Sequence, residues 1–231
     1  MAKVTATMKL PLVLTIVSVF ASGASAADTN TASNAEAAYT HTLTKRVESI
    51  VEKLGIEDSA KSNRVHAIIV RQYRDLRDVH DPRDARIKAA KSQTGADKDE
   101  ITAAVKSAQE EARVKLDVLH TNYLTRLSAE LSSTQIDKVK DGMTYGVLPL
   151  TYGVYLRMYP ELTDEQKRKI KDWLTEAREL AMDGSTSNEK HAVFGKYKGR
   201  INNYLSAAGY DAKKAEQNLR KSQPAAETKS K

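Results

Sequence analysis

Apolar residues recur along most of this chain at intervals of three and four, the period that gathers them on one face of a helix. Leu43, Val47, Ile50, Val51 and Leu54 form the first stripe, and Gly55 follows where a helix would end. Asp58 is placed to cap a second helix that buries Val65, Ile68, Ile69, Tyr73, Leu76 and Val79. Asp81-Pro82 predicts an end and a restart, because proline suits a first helical turn and breaks an interior one. The pattern lapses over Ser92 to Asp99, where Thr94-Gly95-Ala96-Asp97 reads as a break. It resumes as Ile101, Val105, Ala108, Ala112, Leu116, Leu119, Tyr123 and Leu127, a helix of about 40 Å at 1.5 Å per residue. Further helices are predicted from Ser133, from Thr163 and from about Ser187. No period-two alternation is long enough for a strand. The expected fold is all-α, an antiparallel helical bundle of about five to seven helices with one long central helix.

The two ends depart from this pattern. Lys3 and Lys9 lead into the apolar run Leu10 to Ala21, and Ala24-Ser25-Ala26 follows as a small-residue cleavage site. That is the form of a secretory signal peptide over residues 1–26, which places the mature chain in the periplasm or outside the cell. Residues 27–39 are small and polar and are expected as a flexible leader. A single helical domain is expected over 40–210, and a polar, largely disordered tail that begins with a solvated helix over 211–231. No stretch after the signal peptide reaches the roughly 18 apolar residues of a membrane span.

Composition narrows the chemistry. The chain has no cysteine, which removes lipid anchoring through a thioether, disulfides and thiolate metal sites. Its formal charge is +7, of which Lys3 and Lys9 supply 2, leaving +5 on the mature protein. Acids and bases are interspersed, as on a solvated helical surface, and no nucleic-acid partner is expected. The positive excess favours an anionic partner such as an acidic polysaccharide or a lipid headgroup.

Leu131-Ser132-Ser133-Thr134-Gln135 and Leu162-Thr163-Asp164-Glu165-Gln166 share one pattern: Leu, a hydroxyl residue, two variable positions, then Gln. Each predicts a capping box, the hydroxyl accepting from the amide three residues on while the Gln reaches back to the cap amide. The pentapeptides also resemble the LTxxQ motif of the Spy-like periplasmic chaperones, with Ser for Thr in the first copy. That resemblance implies an unfolded polypeptide as client.

Gly142 to Pro160 reads GMTYGVLPLTYGVYLRMYP and repeats Thr-Tyr-Gly at 144–146 and 151–153, two helical turns apart. Tyr145 and Tyr152 share a face if the segment is helical, although Gly146, Pro149 and Gly153 argue against an unbroken helix. Rigid amphipathic rings among small neighbours suit a sugar face or an apolar peptide, and they equally suit the end of a bundle. His191 to Tyr204 interleaves Lys190, Lys196, Lys198 and Arg200 with Phe194, Tyr197 and Tyr204. There Arg200 is a candidate clamp for a carboxylate, and an amphipathic helix burying Phe194, Ile201, Tyr204 and Leu205 is the alternative.

Met143 to Gly153, Leu162 to Gln166, Glu189 to Leu205 and Val70-Arg71-Gln72-Tyr73-Arg74-Asp75-Leu76 together resemble an exported bacterial family catalogued as a domain of unknown function. The similarity extends from about Thr40 to Tyr210. It implies an all-helical fold and gene neighbourhoods devoted to polysaccharide breakdown, and it carries no catalytic residues. The expected function is a non-catalytic binding or accessory protein in polysaccharide utilisation, with Tyr145, Tyr152, Tyr155, Lys196, Tyr197, Arg200 and Asn203 as ligand residues. The expected partner is an acidic glycan, or an unfolded polypeptide if the chaperone resemblance governs.

Catalytic signals are absent from the sequence: no HExxH, nucleophile elbow or phosphate loop accompanies the histidines. Asp78, His80 and Asp81 read as a helix end within an ion-paired face rather than as metal ligands, and no cofactor or metal is expected. A carbohydrate-active enzyme would need two carboxylates facing one cleft, and Asp75, Asp78 and Glu189 are the acids to inspect.

Overall fold

A computed structural model describes the backbone at residues 26–93, 95 and 97–222 and side chains at 33–93, 95 and 97–221. The expected signal peptide, apart from Ala26, lies outside the described residues. The chain divides into two compact units, residues 1–40 and 41–231. In the first, the described residues are helical from Ala26, where α1 (Ala26–Glu52) begins, with positions 33–38 exposed. The segment expected as a leader is therefore helix. Its alanines, at 27, 32, 35, 37 and 38, carry the highest helix propensity of any residue.

The second unit continues with α2 (Ser59–Ser92), α3 (Lys98–Ser128), α4 (Ser133–Met143), α5 (Val147–Met158), α6 (Asp164–Met182), α7 (Ser187–Ala207) and α8 (Ala212–Ser222). The fold is all-α with no strand among the described residues, as expected, but with eight helices. Two stretches account for the excess: α5 is a separate helix beyond a kink, and α8 follows α7. Ala215 of α8 is buried, and Asn218 donates from Nδ2 to the Met158 carbonyl at 3.0 Å, so this last helix is docked on α5. Its apolar content is too low to show in a periodicity.

α2 also differs from expectation. It runs through Pro82 without a break. The lost backbone hydrogen bond is offset by the long seam between α2 and α3, where Ala90, Ala108 and Ala112 are buried and Arg86 bridges to Glu111. Small residues let the two rods lie close. α3 spans 31 residues, about 46 Å at 1.5 Å per residue.

Both capping boxes form, at Ser132 with Gln135 and at Thr163 with Gln166. Each Gln also fastens a distant turn. Gln135 donates from Nε2 to the Leu54 carbonyl at 3.0 Å, and Gln166 accepts from the Tyr210 hydroxyl at 2.7 Å. The pattern resembling the chaperone motif thus has local structural work at both sites. A core of Leu148, Tyr155, Tyr159, Leu162, Ile170, Leu174, Phe194, Ile201 and Leu205 unites α5, α6 and α7. Close helix approach elsewhere depends on Gly142, where a Cβ would come within 2.7 Å of Ile50 Cγ1.

Candidate binding seam between α5 and α7

The tyrosine-rich segment breaks where α4 ends. Tyr123, buried on α3, donates its hydroxyl to Met143 Sδ at 3.2 Å and pins the last residue of α4. Thr144 is buried with its hydroxyl on the Lys140 carbonyl at 2.8 Å. Tyr145 and Gly146 then both take left-handed backbone, φ 58° and 66°, and the Gly146 amide donates to the Asp141 carbonyl at 2.7 Å. Tyr145 is the one non-glycine residue with positive φ among the described residues. A side chain there costs about 1 kcal/mol, and positions of this kind normally carry Gly or Asn.

That strained residue presents its ring outward. Tyr145 is 39 % exposed, stacks on His191 of α7 at 5.9 Å with 15° between planes, and has the Arg46 guanidinium 5.7 Å from its centroid. α5 begins two residues later. Pro149 sits in its first turn, where no intrahelical hydrogen bond is lost, and Gly153 lies within an unbroken helix.

A groove of about 390 Å³ between α3 and α4 has Leu124 and Ile136 on its walls, and a second of about 360 Å³ lies between α5 and α7. Pro149, Leu150, Gly153, Val154 and Arg157 line the second from α5, and Lys198 lines it from α7. Leu150 is 68 % exposed. The Tyr155 side chain spans the seam beneath, its hydroxyl donating to Asn202 Oδ1 at 2.8 Å. Burial pushes that hydroxyl up to about 12. His191 and Lys198 are seven residues apart on α7, two turns and about 10 Å, so the Tyr145 ring and the groove share one side of that helix.

The other flank of α7 has a different character. Arg200 stacks over Trp173 at 4.5 Å and lies 3.7 Å from Glu176, while Lys169 sits 5.4 Å from Trp173 and 5.2 Å from Tyr204. Trp173 and Tyr204 meet edge to face at 5.3 Å. Arg200 is nine residues beyond His191, which puts it half a revolution round the helix and about 13 Å along it. The residues expected as one ligand site are therefore divided. Tyr145 lies against His191 and Arg46, Arg200 and Tyr197 face α6, and Tyr152 is half-buried against the core. Tyr155 is buried, and Lys196 and Asn203 are exposed on the side of α7 away from Phe194 and Ile201. Arg46, Arg157, His191 and Lys198 replace them around Tyr145 and the groove. Lys198 and His191 share a face by their spacing of seven, a signal readable only once the face toward α5 is known.

Charged groups from four helices fasten the end of α6, next to this seam. His120 of α3 meets the Asp183 carboxylate at 2.9 Å and Glu179 at 3.6 Å, and Lys140 of α4 donates to Glu179 at 2.7 Å. Arg178 pairs with Asp137 at 2.6 Å and Asp141 at 2.9 Å. His80 of α2 reaches the Asp183 carbonyl from Nε2 at 2.6 Å. Hydrogen bonds donated to the Asp183 and Glu179 carboxylates raise His120 to about 9. Burial opposes ionisation of Glu179, but hydrogen bonds from His120 and Lys140 prevail and bring it down to about 2. Lys190 of α7 is buried and donates to the carbonyls of Ala181 and Met182, closing the C-terminus of α6, and burial lowers it to about 8. Most of these groups pair with one another, while His80 Nδ1 and Arg178 Nε are buried without a hydrogen-bond partner among the described residues. Together the groups hold the first turn of α7, and with it His191, in place.

The acids singled out for catalysis do not converge. Asp75 pairs with Arg71 at 2.6 Å, Asp78 is exposed, and Glu189 binds Arg83 and the Ser185 amide in the turn before α7. A separate groove of about 570 Å³ is lined by Glu48 and Glu52 of α1 together with Ser62, Asn63 and His66 of α2. Among the described residues no group of three His, Asp or Glu side chains is arranged to hold a metal ion. None of their helices is long and apolar enough to cross a membrane.

The profile of the family described as "Protein of unknown function (DUF3826)" matches residues 40–225. The match includes α8, beyond the expected boundary at 210. Comparison with curated proteins gives no match.

Proposed function

The chain belongs to the DUF3826 family, and we propose that it is an exported, non-catalytic binding protein that presents the α5–α7 seam to a polysaccharide. The observation that carries this reading is Tyr145. A residue held in left-handed backbone at an energetic cost, with its ring exposed and its orientation fixed by His191 and Arg46, is placed for something other than packing. A flat ring of fixed orientation suits the apolar face of a sugar, and the neighbouring groove supplies room for the next unit of a chain. The test is a calorimetric titration with oligosaccharides from plant and bacterial polysaccharides. Binding that disappears in Tyr145→Asn, a residue that tolerates the same backbone, supports the reading. Unchanged binding by that variant removes the site.

A second reading is favoured by one observation, the groove that carries Glu48 and Glu52. These residues are one turn apart on α1, with Cβ atoms about 5–6 Å apart, and two carboxylates facing one groove are the requirement for glycoside hydrolysis. Release of reducing ends by the wild type, abolished in both Glu48→Gln and Glu52→Gln, would establish it. No release from any bound oligosaccharide would exclude it.

A further inference from the structure

We infer that the ligand of the α5–α7 seam is anionic, a glycan bearing carboxylates that are held by Arg157 and Lys198 while a sugar ring rests on Tyr145. This rests on the seam being the binding site and adds the class of ligand and the residues that read it.

The groove between α5 and α7 contains two charged side chains, both positive. Among the described residues, no carboxylate lies within 4.0 Å of either. Several arginines elsewhere are partnered by acids, Arg64 with Glu130, Arg83 with Glu189, Arg86 with Glu111 and Arg113 with Asp117, whereas this groove brings two cations together with no acid on its walls. Arg46 beside Tyr145 extends the positive strip. Gly153 shapes it as well. A Cβ at that position would lie 3.5 Å from Arg157 Nη1, so the guanidinium folds back one turn along α5 and rests over bare backbone. A guanidinium with no acid beside it has donors available to take a carboxylate through two hydrogen bonds. Pro149, Leu150 and Val154 line the same groove and lower the local dielectric, which strengthens the pairing. On the α6 flank, Arg200 is already engaged by Trp173 and Glu176 and is not available for this role.

The experiment compares an oligogalacturonate with the same oligosaccharide fully methyl-esterified, which removes the charge and keeps the rings. Calorimetric titrations use the wild type, Arg157→Ala, Lys198→Ala, Arg200→Ala and Tyr145→Asn. All the replaced side chains are at least partly exposed, and circular dichroism verifies that each variant folds. The acid form is expected to bind about tenfold or more tightly than the ester, and more weakly as salt is raised. Arg157→Ala and Lys198→Ala are each expected to lose about tenfold for the acid and nothing for the ester, with Arg200→Ala unchanged. Equal binding of acid and ester, both lost in Tyr145→Asn, would overturn this inference and leave the polysaccharide site standing. Binding of neither form by the wild type would overturn both. Full acid binding by Arg157→Ala and Lys198→Ala, or displacement of the acid by anionic vesicles or by an unfolded polypeptide at equal charge, would overturn the assignment of residues or of ligand class.

Discussion

The two flanks of α7 are built from the same kinds of residue and reach opposite outcomes. Toward α6, Trp173 and Tyr204 carry Arg200 and Lys169 on their faces, and Glu176 neutralises the guanidinium. Toward α5, Tyr145 stands exposed on strained backbone, and Arg157 and Lys198 border a groove that holds no acid. Aromatic and basic composition is shared; commitment is not. Trp173 and Tyr145 each have a guanidinium near the ring face, but Arg200 lies 4.5 Å from the Trp173 centroid and beside the Glu176 carboxylate, while Arg46 stands 5.7 Å from Tyr145 with no carboxylate within 4.0 Å among the described residues. The difference teaches that an anion-binding surface is recognised by cations left without an acid.

Both flanks hang on one spine, and Phe194→Ala should break them together. Its side chain is fully buried between α5, α6 and α7, and its removal should cost about 3–5 kcal/mol in urea unfolding and abolish binding through loss of fold.

A smaller effect, on the order of 2 kcal/mol after allowance for solvent screening, should come from the charged groups at the α6–α7 turn. His120 is raised to about 9 from 6.5, so its stabilisation is complete below about pH 6.5 and is lost as pH rises through about 9. Glu179, lowered to about 2, contributes above about pH 4.5 and loses its effect as pH falls through about 2. The two share one contact, so their contributions do not add. Melting temperature should therefore peak at mildly acidic to neutral pH. His120→Gln should lower the peak and flatten the alkaline decline, and an alkaline limb unchanged in that variant would refute the assignment.

Arg200→Ala should cost about 0.5–1 kcal/mol by loss of the Trp173 contact and leave sugar binding intact. The sharpest contrast is Tyr145→Asn, for which the expected change in stability is smallest: relief of left-handed strain, worth about 1 kcal/mol, offsets the lost stacking. Stability held or raised while binding falls would separate the α5 flank from the α6 flank. A loss above about 2 kcal/mol would mean that the ring is structural.

Much of this was legible in the sequence. The stripes of α1, α2 and α3 and both capping boxes follow from spacing and cap chemistry, which are local. Gly55, which follows α1, and Asp58, which caps α2, stand where expected. The misses have tertiary causes. Pro82 reads as a break because its cost is local, while the α2–α3 seam that offsets it joins residues more than 20 apart in sequence. α8 reads as solvated because its docking rests on Ala215 and Asn218, neither of which carries an apolar signal. Arg200 was the natural candidate clamp, and the indole that occupies it comes from another helix.

By itself, then, the sequence determined most of the helical segments and how their ends are sealed, because backbone hydrogen bonds and caps are satisfied within a few residues, though not the helix before residue 40 or the passage through Pro82. Only the tertiary structure decided which side chains are spent on one another and which remain free. That choice depends on distances of 3 to 6 Å between residues far apart in the chain, where stacking and ion pairing are strong enough to exclude a ligand.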